Sequence, residues 1–186
     1  MTNTHETILH VNLNTLEANF KFLKSKLPND VKTIAVVKAF AYGLGDIEIS
    51  KYLEKLGVHA FWVADFEEGV QLRKEGITKP IIVANPGYKS VETIIQYQLE
   101  PVIFNNRLLE LYANCKEKVS IHLKFNTGMN RYGFETTDVQ EILPILKNNP
   151  QLKIESVCSH LSSSNDSNKD DFSEGQIQQF KEVCKN

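Results

Sequence analysis

The chain has no apolar run near the ~18 residues that a membrane-spanning helix needs, so a membrane partner is not expected. Cysteine is scarce. Cys115, Cys158 and Cys184 are odd in number and far apart, which gives neither a disulfide framework nor a metal-ligand spacing. A reducing compartment suits that usage. Charge of one sign is also missing: the net charge is -2 with no basic run, so neither nucleic acid nor an anionic membrane surface is an expected partner. A small-molecule substrate is. The N-terminus, Met1 to Glu6, is polar and carries no signal-peptide pattern, so the expected location is cytoplasmic.

What is present is ordinary globular composition, 41% hydrophobic and 24% charged over 186 residues, enough for one sizeable core. Ile8 to Val11 reads as a short strand. Leu13, Leu16, Phe20, Leu23 and Leu27 then recur at spacings of three and four, one helix face ended by Pro28. A β-branched apolar run from Thr33 predicts a buried strand, followed by a helix from about Asp46 to Leu56.

From there one pattern repeats. Strands are predicted at Ala60–Val63, Pro80–Ala84, Pro101–Phe104, Val119–Lys124 and Ile154–Cys158. Helices follow at Glu67–Glu75, Ser90–Gln98, Arg107–Cys115 and Thr137–Lys147, and a last one begins near Ser173. Short strands alternating with helices predict an α/β fold with a parallel sheet and right-handed crossovers. Their nearly constant spacing favours a (β/α)8 barrel of the TIM type over an open sheet. Only about six of its eight units are counted, so residues 1–186 are expected to be the front part of a longer protein.

In such a barrel the site gathers where strands end: Lys38, Asp65, Asn85, Asn105, Lys124 with the loop to Arg131, and His160. Asp65 is expected to cap a helix, with Glu67 and Glu68 in its first turn and the aromatics Phe61 and Trp62 in the core. That block is assigned to scaffold.

Three stretches carry more. Residues 35–45 read Ala-Val-Val-Lys-Ala-Phe-Ala-Tyr-Gly-Leu-Gly, placing Lys38 at a strand end and Tyr42 inside a glycine turn whose free amides suit an anion. Residues 123–133 place Lys124 and Arg131 on either side of a turn that needs Gly128, two cations that call for an anion. The third is Ser159-His160, followed by a serine-rich polar loop reaching Asp171. A lone lysine at a strand end is more often a snorkelling surface residue, and a lone histidine is more often structural.

Taken in order, these stretches resemble the alanine racemase family. Its lysine motif is Ala-Val-Val-Lys-Ala-Asn-Ala-Tyr-Gly-His-Gly; nine of eleven positions match, with Phe40 and Leu44 replacing asparagine and histidine. The second stretch is similar to the block Leu-Lys-x-Asp-Thr-Gly-Met-x-Arg-x-Gly, with Asn126 at the usual aspartate.

The resemblance implies a cofactor, pyridoxal 5'-phosphate (PLP), carried on Lys38 as a Schiff base. Tyr42 then hydrogen-bonds the phosphate, Arg131 the phenolic oxygen, and His160 packs against the ring. It further implies a carbamylated Lys124 holding Arg131 in place. Residues 1–186 are expected to be a partial PLP-binding barrel, without the family's C-terminal β domain. That domain brings a tyrosine from the partner subunit as second base, so the whole enzyme is expected to be a homodimer and residues 1–186 alone inactive. The implied activity interconverts L- and D-alanine, supplying D-alanine for peptidoglycan; no metal is implied. Three other readings stay open: another PLP enzyme of this fold, such as a broad-specificity racemase; a non-catalytic single-domain PLP-binding protein; and a plain barrel scaffold.

Overall fold

The computed structural model describes residues 7–185; the polar segment Met1–Glu6 lies outside them. Ile8–Val11 is not a strand. Those residues are exposed and, among the described residues, no neighbouring segment offers the ladder of hydrogen bonds that holds a strand, so apolar spacing alone does not form one. Helix α1 (Leu13–Lys24) follows, its first amides taken by the side chain of Asn12. It stops before Pro28 is reached.

Six strands form one parallel sheet in sequence order: β1 (Ile34–Val36), β2 (Ala60–Val63), β3 (Ile81–Val83), β4 (Glu100–Ile103), β5 (Val119–Lys124) and β6 (Leu152–Cys158). The helices between them are α3 (Asp46–Lys55), α4 (Phe66–Lys74), α5 (Val91–Gln96), α6 (Asn106–Ala113) and α7 (Val139–Asn148), and α8 (Asp170–Val183) follows β6. The short segment Lys38–Gly43, here α2, is of the opposite hand and belongs to the site. The last helix starts at Asp170, not near Ser173: Asp166 caps a short 3-10 turn at Ser167–Lys169 that leads straight into it, so the expected polar loop is partly helical.

Alternation along each strand sorts residues onto two faces. The outer face, with Phe61, Val63, Ile81, Val83, Ile103 and Ile121, packs against the helices and forms the main core. The inner face holds a smaller cluster of Ala60, Ile82 and Val102, with Trp62, Phe104 and Cys158 against it. Below that cluster His122 is buried between Ser156 Oγ at 2.7 Å and a Glu100 carboxylate oxygen at 2.9 Å. Of the described residues, β1 and β6 pair on one side only, and Ile34, Val36 and Ile154 remain exposed.

Arg73 closes the far end of the sheet. Its guanidinium donates to the carbonyls of Ile77, Lys79, Tyr97 and Gln98, tying the turns after α4 and α5 together through one planar fork. Arg73 and the turns it joins are therefore scaffold.

Candidate active site

Beyond β1 the backbone reverses hand. Ala39, Phe40, Ala41 and Tyr42 have φ of 52, 60, 50 and 56°, four consecutive non-glycine residues in the left-handed region. Each costs about 1–2 kcal/mol relative to its ordinary conformation. The sequence suggested that Gly43 and Gly45 make the turn; both do have positive φ, but the reversal begins four residues earlier. The turn closes on its own bonds, Ala41 N–H to Val37 O and Gly45 N–H to Phe40 O, both 2.9 Å. Ala41 is buried, while Phe40, Tyr42 and Leu44 project outward. Lys38 stands at the head of this turn, two residues past the end of β1.

The second stretch is a loop clipped to the end of β5. Asn126 N–H donates to Phe134 O and Phe134 N–H donates to Lys124 O, each at 2.8 Å. Inside the loop, the Asn126 side-chain oxygen accepts from the amides of Gly128 and Asn130, and its amide nitrogen donates to Asn130 Oδ1 and Glu135 Oε1. An aspartate could not donate to Glu135 and would place like charges together. Asparagine at 126 is thus matched to its acidic neighbour.

Lys124 is 5% exposed and makes no ion pair among the described residues. Its ammonium lies 5.1 Å from the centre of the Tyr132 ring, and the Arg131 guanidinium lies 5.3 Å from the same ring. Phe104 packs on that ring at 4.7 Å. Burial pushes the Lys124 pKa down, and the Arg131 charge adds to the shift against an opposing pull from Cys158. Burial raises the Cys158 thiol to about 11, against the stabilising field of Lys124. His160 is held below the ordinary imidazole range by desolvation, then by the fields of Lys124, Arg131 and Lys38.

Lys38, Tyr42, Lys124, Arg131 and His160 all line one cavity of about 600 Å³ at the C-terminal end of the strands. Its remaining wall includes Trp62, Asn85, Tyr132, Cys158 and Ser159. Three basic residues face this space, and among the described residues no carboxylate lines it. Among the other strand-end residues, Asp65 caps α4 and Asn105 caps α6, outside this lining. Trp62, read as core from its sequence, is a wall residue; its place on the inward parity of β2 was the available signal. Ser159 is fixed by donating to Phe125 O at 2.9 Å and by Thr127 Oγ1 at 2.7 Å, which orients the backbone entering His160.

The cavity is of a size typical for small-molecule sites, and its basic lining suits an anion. Residues 11–186 match the family model described as the alanine racemase N-terminal domain. Among curated proteins, an alanine racemase of Geobacter sp. (strain M21) is 37% identical over 167 residues, covering 86% of this chain and 44% of that protein. One from Aquifex aeolicus (strain VF5) is 38% identical over 180 residues, covering 96% and 48%. Among solved structures, an alanine racemase of Clostridium difficile 630 in complex with cycloserine superposes with a TM-score of 0.87 at 30% identity, over 94% of this chain and 50% of that one. The chain spans about half the length of the relatives it matches.

Proposed function

The chain belongs to the alanine racemase family, and from that premise we propose that it contributes the cofactor-binding part of a PLP-dependent enzyme interconverting L- and D-alanine. The observation that supports this is the cavity bordered by Lys38, Lys124 and Arg131 with no acidic residue in its lining among the described residues. PLP brings a phosphate and a phenolate, both anionic, and an aldehyde for one amine. When bound it supplies an electron sink that acidifies the substrate α-carbon.

The protein groups then divide the work. The Lys38 amine would hold the cofactor and, once freed by an incoming substrate amine, would take or return the α-proton on one face. Tyr42 would donate to the phosphate; the amides of Leu44 and Gly45, which the sequence suggested were free for an anion, are taken by Ala41 O and Phe40 O inside the turn. Arg131 would donate to the phenolic oxygen, and His160 would lie against the ring. Lys124 is buried, and burial biases it toward the neutral amine that attacks carbon dioxide. The carbamate so formed, with loss of one proton, would be an anion beside Arg131. The second base and the homodimer are carried over from the family as part of the same proposal.

The reading is tested on the whole protein with PLP and L-alanine in deuterium oxide. The optical signal should decay to that of the racemate while deuterium enters the α-position. Cofactor attachment without deuterium uptake would instead favour a PLP carrier.

For Tyr42, replacement by phenylalanine should weaken PLP retention by about 1–2 kcal/mol, the scale of one hydrogen bond to a charged acceptor. Turnover with saturating cofactor should persist. Equilibrium dialysis of PLP against parent and variant measures it, and equal affinities would remove Tyr42 from the phosphate site.

A further inference from the structure

Four left-handed residues in succession need something outside the turn to hold them. Only Ala41 of the four is buried, so packing supplies little of that hold. Ala39 N–H, the first amide after Lys38, donates instead to Glu68 Oε1 at 2.7 Å. The other oxygen, Oε2, accepts the Ala64 N–H at the end of β2, also at 2.7 Å. One carboxylate therefore bridges the backbone that carries Lys38 to the backbone of the adjacent strand. Glu68 is itself fixed, because its own N–H donates to Asp65 Oδ1 at the start of α4.

We propose that Glu68 is a positioning residue: its carboxylate latches the left-handed turn to β2 and so sets where the Lys38 amine and the Tyr42 hydroxyl enter the cavity. Both bonds are short and charge-assisted, the strong kind, and no second side chain grips the Ala39 amide among the described residues. With the latch gone, the turn is free to relax toward right-handed backbone, carrying Lys38 with it. The latch deepens the PLP reading, and its consequence for the cofactor rests on that reading; the latch itself does not.

The test uses Glu68→Gln and Glu68→Ala in the whole protein, with Glu67→Ala as a control for charge in the same helical turn. Glutamine keeps the shape but has one accepting oxygen, so it can serve only one of the two amides. Hydrogen exchange without cofactor should accelerate about tenfold or more in Glu68→Gln over residues 37–45 or over the peptide carrying Ala64, whichever amide loses its acceptor, and over both in Glu68→Ala. The melting temperature and exchange elsewhere should hardly change. Borohydride trapping of PLP at Lys38 should slow by a similar factor, while Glu67→Ala behaves as the parent. Unchanged exchange in Glu68→Gln both over residues 37–45 and over the peptide carrying Ala64 would overturn the latch, even if Glu68→Ala fails to fold. If the parent protein never takes PLP at Lys38, the cofactor reading fails alone, and the exchange arm still decides the latch.

Discussion

Replacing Lys38 by alanine should abolish covalent retention of PLP and reduce alanine turnover in the whole protein by at least about 10⁴-fold, the upper range for one positioned acid–base group. A second lysine lines the same cavity, so the choice needs an argument. Lys124 is deeply buried and faces the Tyr132 ring with Arg131 beside it. An amine there has little room to meet an aldehyde and then exchange it for a substrate. Lys38 is partly exposed at the head of an outward-facing turn, where attachment and release are both accessible. Peptide mapping after borohydride reduction should find one modified lysine in the parent and none in Lys38→Ala. Label on Lys124, or a single labelled site surviving in the variant, would reverse the assignment.

Gly133→Ala should cost stability on the order of 4 kcal/mol, far more than a typical glycine replacement in a turn. At φ 142° a side chain is strained, by about 1–3 kcal/mol. The added Cβ would also sit 2.6 Å from Asn126 N and 2.7 Å from Phe125 C. Those are backbone atoms, so no rotamer change relieves them, and forcing them apart adds roughly another 1–3 kcal/mol. The two hydrogen bonds that clip the loop to β5 run on either side of this contact. Loss of the clip would also displace Arg131 and Tyr132. Gly76→Ala is the internal comparison, since its φ is also positive but nothing stands within 4 Å of a new Cβ. Urea unfolding of both variants should give a much larger loss at 133; equal losses would show that the loop yields.

Much of this fold was legible in the sequence because its strands are short, apolar and punctuated. Ala60–Val63 and Val119–Lys124 were placed to the residue, and alternation with helices gave the parallel sheet. Ile8–Val11 misled because a strand is defined by a partner, which local pattern does not report. The five residues named from motif and strand-end position all line one cavity. What escaped was anything set by backbone hand or by contacts between distant residues. Glu68 read as a helix-start acid favoured by the dipole, yet its carboxylate is engaged 29 positions away at Ala39. Tyr132 occupies a place that the family pattern leaves open, so nothing marked it as the ring that both cations approach.

The reversed hand at Ala39–Tyr42 also restricts which sequences this stretch can drift through. In that region of backbone space asparagine is several-fold enriched among non-glycine residues, and β-branched side chains are outliers. The asparagine that the family motif carries at the position of Phe40 is therefore favoured by conformation before any contact with a ligand is considered. This chain departs from that preference with a large aromatic that is 59% exposed. Substitutions to valine, isoleucine or threonine anywhere in these four positions would be purged on folding grounds alone. A variability profile of this segment would report the handedness of its backbone as much as the chemistry it serves.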